Sequence, residues 1–168
     1  MNKLFAIYMG GAHKGANIEV HDILFAAAED VKSAIPSLKK KWFGDLGSAH
    51  IDSWTELSQV ENYEINLQKS PPKSGPKLFF VNVGYYQEGI FSEQHRFHFL
   101  VALDKTDAKK KAKKLYAKEV HLPHVDQLLD VEDLIQLREI DGHFVHLNKT
   151  SATRELKVEN IYWPLKRG

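Results

Sequence analysis

The sequence repeats itself, and this repeat limits the fold more than any other feature. When the chain is shifted by 74 residues, positions 3 to 52 align with positions 77 to 126 without a gap, and 15 of the 50 pairs are identical. The match then resumes at an offset of 80, after six extra residues that the alignment places around Asp130 to Leu134. We therefore predict two homologous units with one plan, related by a pseudo-twofold axis.

The repeat also sets the expected domain boundaries. The segment between the copies is rich in proline and glycine, which is typical of an exposed connection. The apolar residues 161–163 lie beyond both copies and predict a tail that packs on the body or on a partner subunit. In order, the predicted segments are a first unit (1–70), a linker (71–76), a second unit (77–150) and a C-terminal tail (151–168).

Hydrophobic periodicity predicts an α+β fold, in which each unit has a mainly antiparallel sheet covered by one helix. The expected order is strand, strand, helix, short strand and hairpin, with the helices beginning near Asp30 and Asp104. Pro36 implies that the first helix either begins late or is kinked. The pair Asp141-Gly142 is the strongest turn signal and predicts a hairpin at the end of the second unit.

Composition excludes several classes of chemistry. The chain has no cysteine, so disulfides, thiolate metal sites and cysteine nucleophiles are excluded, while nine histidines and 22 carboxylates remain. The formal charge of +1 gives no reason to expect nucleic acid as a partner. We interpret the lysine-rich segment 105–118 as a solvated helix face, with Ala108, Ala112 and Leu115 pointing inward.

The apolar runs of the chain are too short for a membrane span or a signal peptide. The first run, Leu4 to Met9, recurs as Leu78 to Val83, which indicates a structural element. We therefore expect a cytoplasmic protein without membrane contact, and the apolar tail makes a homo-oligomer one expectation for its assembly.

Four polar positions of the first copy are retained in the second, although the copies differ at most other positions. They form two pairs spaced by two residues, and such pairs share a face when the segment is a strand. Asn17, in the loop before the first pair, is a further candidate. The retained residues are Glu19, His21, His50 and Asp52 in the first copy, and Glu93, His95, His124 and Asp126 in the second.

Two imidazoles and two carboxylates per unit suit a divalent metal such as zinc or manganese. A metal with an open position would support a metal-dependent, hydrolytic enzyme that uses Glu19, His21, His50 and Asp52. The same residues also suit a structural hydrogen-bond network, and no diagnostic metal spacing such as H-E-x-x-H is present. The sequence favours the network, and therefore a binding or structural module, with the metal-dependent enzyme as the alternative.

Three stretches of the first copy carry a family resemblance: Gly15 to Asp22, Lys41 to Asp45, and His50 to Trp54. They resemble the bacterial family called domain of unknown function 1543, whose unit often occurs twice. The resemblance implies a fold unit and a bacterial source, and it implies no activity. The second copy departs from the pattern, with Phe91 in place of Asn17, so the first copy is the expected location of a single active site.

Overall fold

The computed structural model describes residues 1–119, 129–152 and 154–165. Its helices and its antiparallel sheets confirm the α+β prediction. The strands are β1 (Lys3–Gly11), β2 (Val20–Ala28), β3 (His50–Glu56), β4 (Gln59–Val60), β5 (Tyr63–Gln68), β6 (Lys77–Tyr85), β7 (Gln94–Ala102), β8 (Leu129–Gln136), β9 (Glu139–Ile140), β10 (His143–Lys149) and β11 (Val158–Pro164), and the helices are α1 (Val31–Lys41) and α2 (Lys105–Glu119).

The chain divides into two compact units. Unit 1 comprises Met1–Pro71 and Glu139–Gly168, and unit 2 comprises Pro72–Arg138. Unit 1 therefore takes in the last hairpin of the second sequence copy, because β10 pairs with β5 in a sheet of order β4-β5-β10-β9. These contact-based units differ from the sequence copies in the placement of residues 139–150, and the two-copy organisation stays a prediction.

The larger sheet of unit 1 has the strand order β11-β3-β1-β2. Gly10 of β1 lies opposite His21 of β2 and also opposite His50 of β3. Next to this level the register of β1 and β3 shifts, since Tyr8 pairs with Ser53 and Met9 pairs with Ile51. The residue left over on β3 is Asp52, so a β-bulge is located beside the paired histidines.

The two faces of this sheet have different environments. Alternate residues of β1, including Ile7 and Met9, are fully buried and belong to the core beneath α1, together with Leu38 of the helix. Tyr8 and Gly10 point to the opposite face, because successive side chains of a strand alternate. That opposite face carries the polar residues described below.

Helix α1 begins at Val31, immediately after its N-cap Asp30. The Asp30 carboxylate accepts a hydrogen bond from the Ser33 backbone N–H, and the Ser33 hydroxyl accepts one from the Asp30 N–H. The hydrogen bonds from Ser33 lower the pKa of the Asp30 carboxyl group. Pro36 lies inside the helix, so the first of the two alternatives, a late start, is excluded, because this cap fixes the first turn well before the proline; a kink at Pro36 stays a prediction.

The hairpin between β9 and β10 is attached to α1 and β2 by one carboxylate. Asp141, at the predicted turn, has a φ of 49°. Its side chain accepts hydrogen bonds from the Ala27 N–H (3.0 Å) and the Ser37 hydroxyl (2.8 Å), and pairs with Lys41 Nζ at 2.7 Å. Burial alone would raise the pKa of Asp141, but these hydrogen bonds and the Lys41 charge lower it overall. The ionised carboxylate therefore stabilises the docked hairpin.

Unit 2 has a three-stranded sheet of order β7-β6-β8 with α2 packed on it. Ala108, Ala112 and Tyr116 form the buried stripe of α2, whereas Leu115 is exposed. The inward position predicted for Leu115 is therefore wrong, because a spacing of four residues keeps Tyr116 on the face of the two alanines. No helix in the described part of the chain combines the length and hydropathy needed to cross a membrane.

The substitution Asp141→Asn tests the anchoring carboxylate and keeps a residue that tolerates a positive φ. We expect the free energy of unfolding to fall by about 1 to 2 kcal/mol at pH 7, because charge-assisted hydrogen bonds are lost. A lowered folded-state pKa contributes stability above the usual aspartate pKa, and this contribution disappears as the pH falls through the folded-state value. Denaturant unfolding at several pH values should therefore show the two proteins converging in acid.

The control for this prediction is Glu139→Gln, which removes an exposed carboxylate from the same hairpin. We expect this change to leave the free energy of unfolding within about 0.5 kcal/mol of the wild-type value. An equal loss in both variants would contradict a specific role for Asp141.

Candidate functional site

Four polar side chains of unit 1 meet on the sheet face opposite α1. Glu19 immediately precedes β2 and His21 follows in that strand, while His50 and Asp52 lie in β3. One ligand atom from each residue can be chosen so that all four atoms lie within 4.8 Å of one another. The structure therefore brings together the two pairs that the sequence places 31 residues apart. We call these four residues the His/carboxylate cluster.

The distances within the cluster form a closed ring of contacts. Glu19 Oε1 lies 2.8 Å from His50 Nε2 and 3.3 Å from His21 Nε2. Asp52 Oδ1 lies 3.3 Å from His50 Nε2, and Asp52 Oδ2 lies 3.3 Å from His21 Nε2. The Nε2 atom of each imidazole therefore lies next to both carboxylates, so potential ligand atoms surround the centre of the ring.

Gly10 forms the floor of this ring. A Cβ atom built on Gly10 would lie 2.7 Å from His50 Nε2 and 2.8 Å from His21 Nε2, and it would overlap Glu19 Oε1. These ligand atoms can converge only because residue 10 has no side chain, since real Cβ atoms essentially never approach so closely. A glycine is required here for space, at the level where β1 pairs with both histidines.

The surroundings of His50 define which of its nitrogens carries a proton. His50 Nδ1 is 2.9 Å from the Ser48 carbonyl oxygen, which can only accept a hydrogen bond, so Nδ1 is the donor. In the neutral ring Nε2 then presents a lone pair, yet it faces Glu19 Oε1, which also presents lone pairs. A positive group, either a second proton or a cation, is needed between these two atoms.

Asp52 gives independent evidence that the cluster requires a positive group. Its Oδ2 atom is buried and has no hydrogen-bond partner among the described residues. His21 Nε2 is 3.3 Å away, which satisfies the distance for an ion pair but not the geometry of a hydrogen bond. The bulge at this residue directs a carboxylate oxygen into the cluster, where its lone pairs remain available.

Each imidazole is also in contact with a tyrosine ring. Tyr8 stacks on His21 with ring centroids 5.2 Å apart and planes inclined by 8°, and Tyr162 of β11 lies 4.7 Å from the His50 ring. Burial first, and then the negative charge of Asp52, raise the pKa of the Tyr8 phenol, so it stays protonated at neutral pH.

The cluster is closed toward the sheet and open toward solvent. The His50 side chain is only 5% exposed and that of Asp52 is 29% exposed. The side chains of His21 and Glu19 are more accessible, at 36% and 45%. A small ion or molecule therefore has access to the cluster from the side of His21 and Glu19.

The remaining candidates from the sequence are not part of this cluster. Asn17 is exposed in the loop before β2. Glu93 is partly buried, and His95 is exposed with Nδ1 3.2 Å from Asn82 Oδ1. His124 and Asp126 lie outside the described residues, so their assignment to a site stays a prediction.

The strand register of unit 2 shows which of its residues lie at the positions that His21 and His50 have in unit 1. Gly84 lies opposite His95, as Gly10 lies opposite His21. On its other side Gly84 pairs with Asp130, which therefore takes the place of His50. The offset of 80 already applies at Asp130, so the six extra residues precede it and do not fall around residues 130 to 134.

The sequence analysis did not assign to the site the groups that support the cluster: Gly10, Ser48, Tyr8 and Tyr162. Gly10 could have been found from the sequence, because the second copy has the same residue, Gly84, at the aligned position. Ser48 acts through its backbone carbonyl, so its side chain gives no indication of that role. The contacts of the tyrosines depend on strand neighbours that are distant in sequence.

Comparisons with known proteins give one match to the part of the chain that contains the cluster and one match to nearly the whole chain. Residues 16–67 match the family model described as Domain of Unknown Function (DUF1543), and this segment contains all four cluster residues. The crystal structure of a protein Il1583 from Idiomarina loihiensis is similar to this chain, with a TM-score of 0.79 and 30% sequence identity. That similarity covers 99% of this chain and 100% of the other. No curated protein matches the sequence.

Proposed function

This chain belongs to the DUF1543 family, and we propose that its first unit is a binding module for a divalent cation, held by the His/carboxylate cluster. The observation that carries the proposal is the spacing of the ligand atoms. A tetrahedral zinc ion with bonds of about 2.05 Å separates its ligand atoms by about 3.3 Å. Glu19 Oε1 and His21 Nε2 have this separation, as do the two contacts of Asp52, which uses Oδ1 toward His50 and Oδ2 toward His21, and one ligand atom from each of the four residues lies within 4.8 Å of the others.

A hydrogen-bond network without a cation fits these distances less well. Hydrogen bonds between charged nitrogen and oxygen atoms are usually about 2.7 to 2.9 Å long. Only the contact between His50 and Glu19 falls in that range. A network would also leave Asp52 Oδ2 buried without a donor, whereas a cation at the centre would take a lone pair from each of the four residues.

Zinc and manganese remain the two metals that this ligand set favours. Four protein ligands complete the tetrahedral shell of zinc, which is typical of a structural or storage site. Manganese prefers six ligands and would keep positions for water on the open side of the cluster. The identity of the metal therefore decides whether the site only binds the ion or also keeps a coordination position for a reactive water molecule.

Metal analysis tests the proposal directly. Protein purified without a histidine tag and loaded with zinc or manganese should retain close to one ion per chain after desalting. His21→Ala and His50→Ala should each remove most of this metal, because each takes away one of four ligands. His13→Ala, which changes an exposed imidazole outside the cluster, should retain the metal. Failure of the wild-type protein to retain any tested metal would refute the proposal.

Thermal unfolding gives a second readout on the same proteins. At a free metal concentration of about 100 Kd, binding to the folded state adds about 2.7 kcal/mol to the free energy of unfolding. For a chain of this size the Tm should rise by roughly 5 to 10 °C. A chelator should reverse the shift, and the two histidine variants should show none.

Gly10→Ala tests the floor of the site without removing a ligand. The new methyl group would overlap the space in which three ligand atoms converge, so we expect the loss of metal binding. The groups that must move are the ends of side chains, and for this reason we expect the sheet to be retained, as judged by circular dichroism. Gly47→Ala is the matched control, because its Cβ would meet only the end of the Asp45 side chain, at 3.3 Å. Metal binding by Gly10→Ala at the wild-type level would contradict the placement of the ion.

Metal-dependent hydrolysis is a second candidate, and the exposure of His21 and Glu19 favours it. A bound cation can lower the pKa of a coordinated water and so provide a nucleophile at neutral pH. The manganese-loaded and zinc-loaded proteins should then hydrolyse p-nitrophenyl acetate or bis(p-nitrophenyl) phosphate faster than the free ions do, and His21→Ala should abolish the excess rate. Rates equal to those of the free ions would exclude hydrolysis of these esters and leave the binding module in place.

We further propose a bacterial, cytosolic protein that assembles as a homo-oligomer without nucleic acid. These proposals are supported by the family resemblance, the short apolar runs, the exposed apolar residues of β11 (Val158, Ile161 and Tyr162) and the net charge of +1.

A further inference from the structure

Strand β11 comes from the C-terminal tail, outside both sequence copies, yet it reaches the His/carboxylate cluster. It pairs with β3 at the edge of the larger sheet, where Pro164 lies opposite His50. The register shifts between Asn160, which pairs with Ser53, and Trp163, which pairs with Ile51. Two residues of β11 therefore stand opposite Asp52 of β3.

Some side chains of this segment pack in the core, and one contacts the cluster. Leu165, which follows the strand, is buried in the core, and its N–H donates to the Ala49 carbonyl oxygen at 2.8 Å. Trp163 is partly buried and packs against the same core. Tyr162 is 70% exposed, so its ring contributes little to the core, but it contacts the His50 ring at 4.7 Å.

We propose that Tyr162 is a positioning residue for His50, and that the tail strand thereby completes the cation site of the first unit. This inference rests on the proposed function. His50 is held through its Nδ1 atom by the Ser48 carbonyl and on its ring by Tyr162, so its Nε2 atom points into the cluster. Groups that orient metal ligands commonly change metal affinity by about 10-fold to 100-fold when they are removed.

The local irregularities of the sheet support this role. β3 has its bulge at Asp52 relative to β1, and β11 has its extra residue opposite the same position. Bulges occur where a strand must redirect a side chain, and both irregularities here adjoin the four ligand atoms. Trp163 and Leu165 already provide the contacts of this strand with the core, so packing alone does not require the extra residue.

The binding of the cation and the docking of the tail are expected to be linked. If Tyr162 orients His50 for the cation, then the bound cation holds His50 against Tyr162, because coupling between two equilibria is reciprocal. Hydrogen exchange in residues 158–165 should therefore slow when zinc is added. A tail strand with a purely structural role would exchange at the same rate with and without zinc.

The decisive experiment compares zinc affinities, measured by competition with a chromophoric chelator, with the Tm of the metal-free proteins. Tyr162→Ala should weaken zinc binding about 10-fold while changing the Tm little, because the side chain is mostly exposed. Tyr162→Phe keeps the ring and should restore wild-type affinity. The control is Ile161→Ala, an exposed apolar residue of the same irregular segment. Wild-type affinity in Tyr162→Ala, or equal weakening in Ile161→Ala, would overturn the inference.

The two proposals can fail separately in this experiment. If the wild-type protein binds no zinc or manganese, the proposed function fails. The orientation of His50 is then still measured by the chemical shifts of its ring protons, which Tyr162→Ala should change and Tyr162→Phe should preserve. If the wild-type protein binds zinc but exchange in residues 158–165 is unaffected by it, only the coupling to the tail fails.

Discussion

The convergence of two imidazoles above one glycine is the constraint on which the candidate site depends. Gly10 is paired on one side with His21 and on the other with His50, so the antiparallel register places both rings at the same level of one sheet face. Any side chain at residue 10 would occupy the space between them. The pairing of β1 with both neighbours, more than the identity of any single ligand, therefore determines whether the cluster exists.

The same strand builds the core and the site from its two faces. Ile7 and Met9 are buried beneath α1, whereas Tyr8 and Gly10 alternate with them toward the histidines. A strand slip of one residue would exchange these sets and expose the core residues, so hydrophobic burial also protects the geometry of the cluster. The bulge at Asp52 is the local exception, and it adds a carboxylate that a regular strand would not place beside Gly10.

The sequence predicted what depends on local spacing and could not predict what depends on long-range register. The spacing of two residues placed His50 and Asp52 in one strand, β3, and Glu19 directly before the strand that contains His21, and Asp30 marked the start of a helix. The meeting of the two pairs requires β1 to lie between β2 and β3, and no periodicity contains that order. The pairing of β10 with β5 joins segments that are far apart in the chain, for which repeat alignment gives no guide. Pro36 shows a further limit, because a strong cap outweighs a residue that usually ends helices.

The electrostatics of the cluster support the cation that we propose over bound protons. Two carboxylates at the surface of a sheet carry two negative charges, and protonation of both imidazoles would be needed to balance them. Protons bound at the two Nε2 atoms would lie on the lines toward single oxygens and could not serve all four contacts at once. A divalent ion balances the same charge from one central position and accepts lone pairs from every direction. The hydrogen bond from His50 Nδ1 to the Ser48 carbonyl oxygen directs the lone pair of Nε2 into the cluster, which supports the proposed cation site.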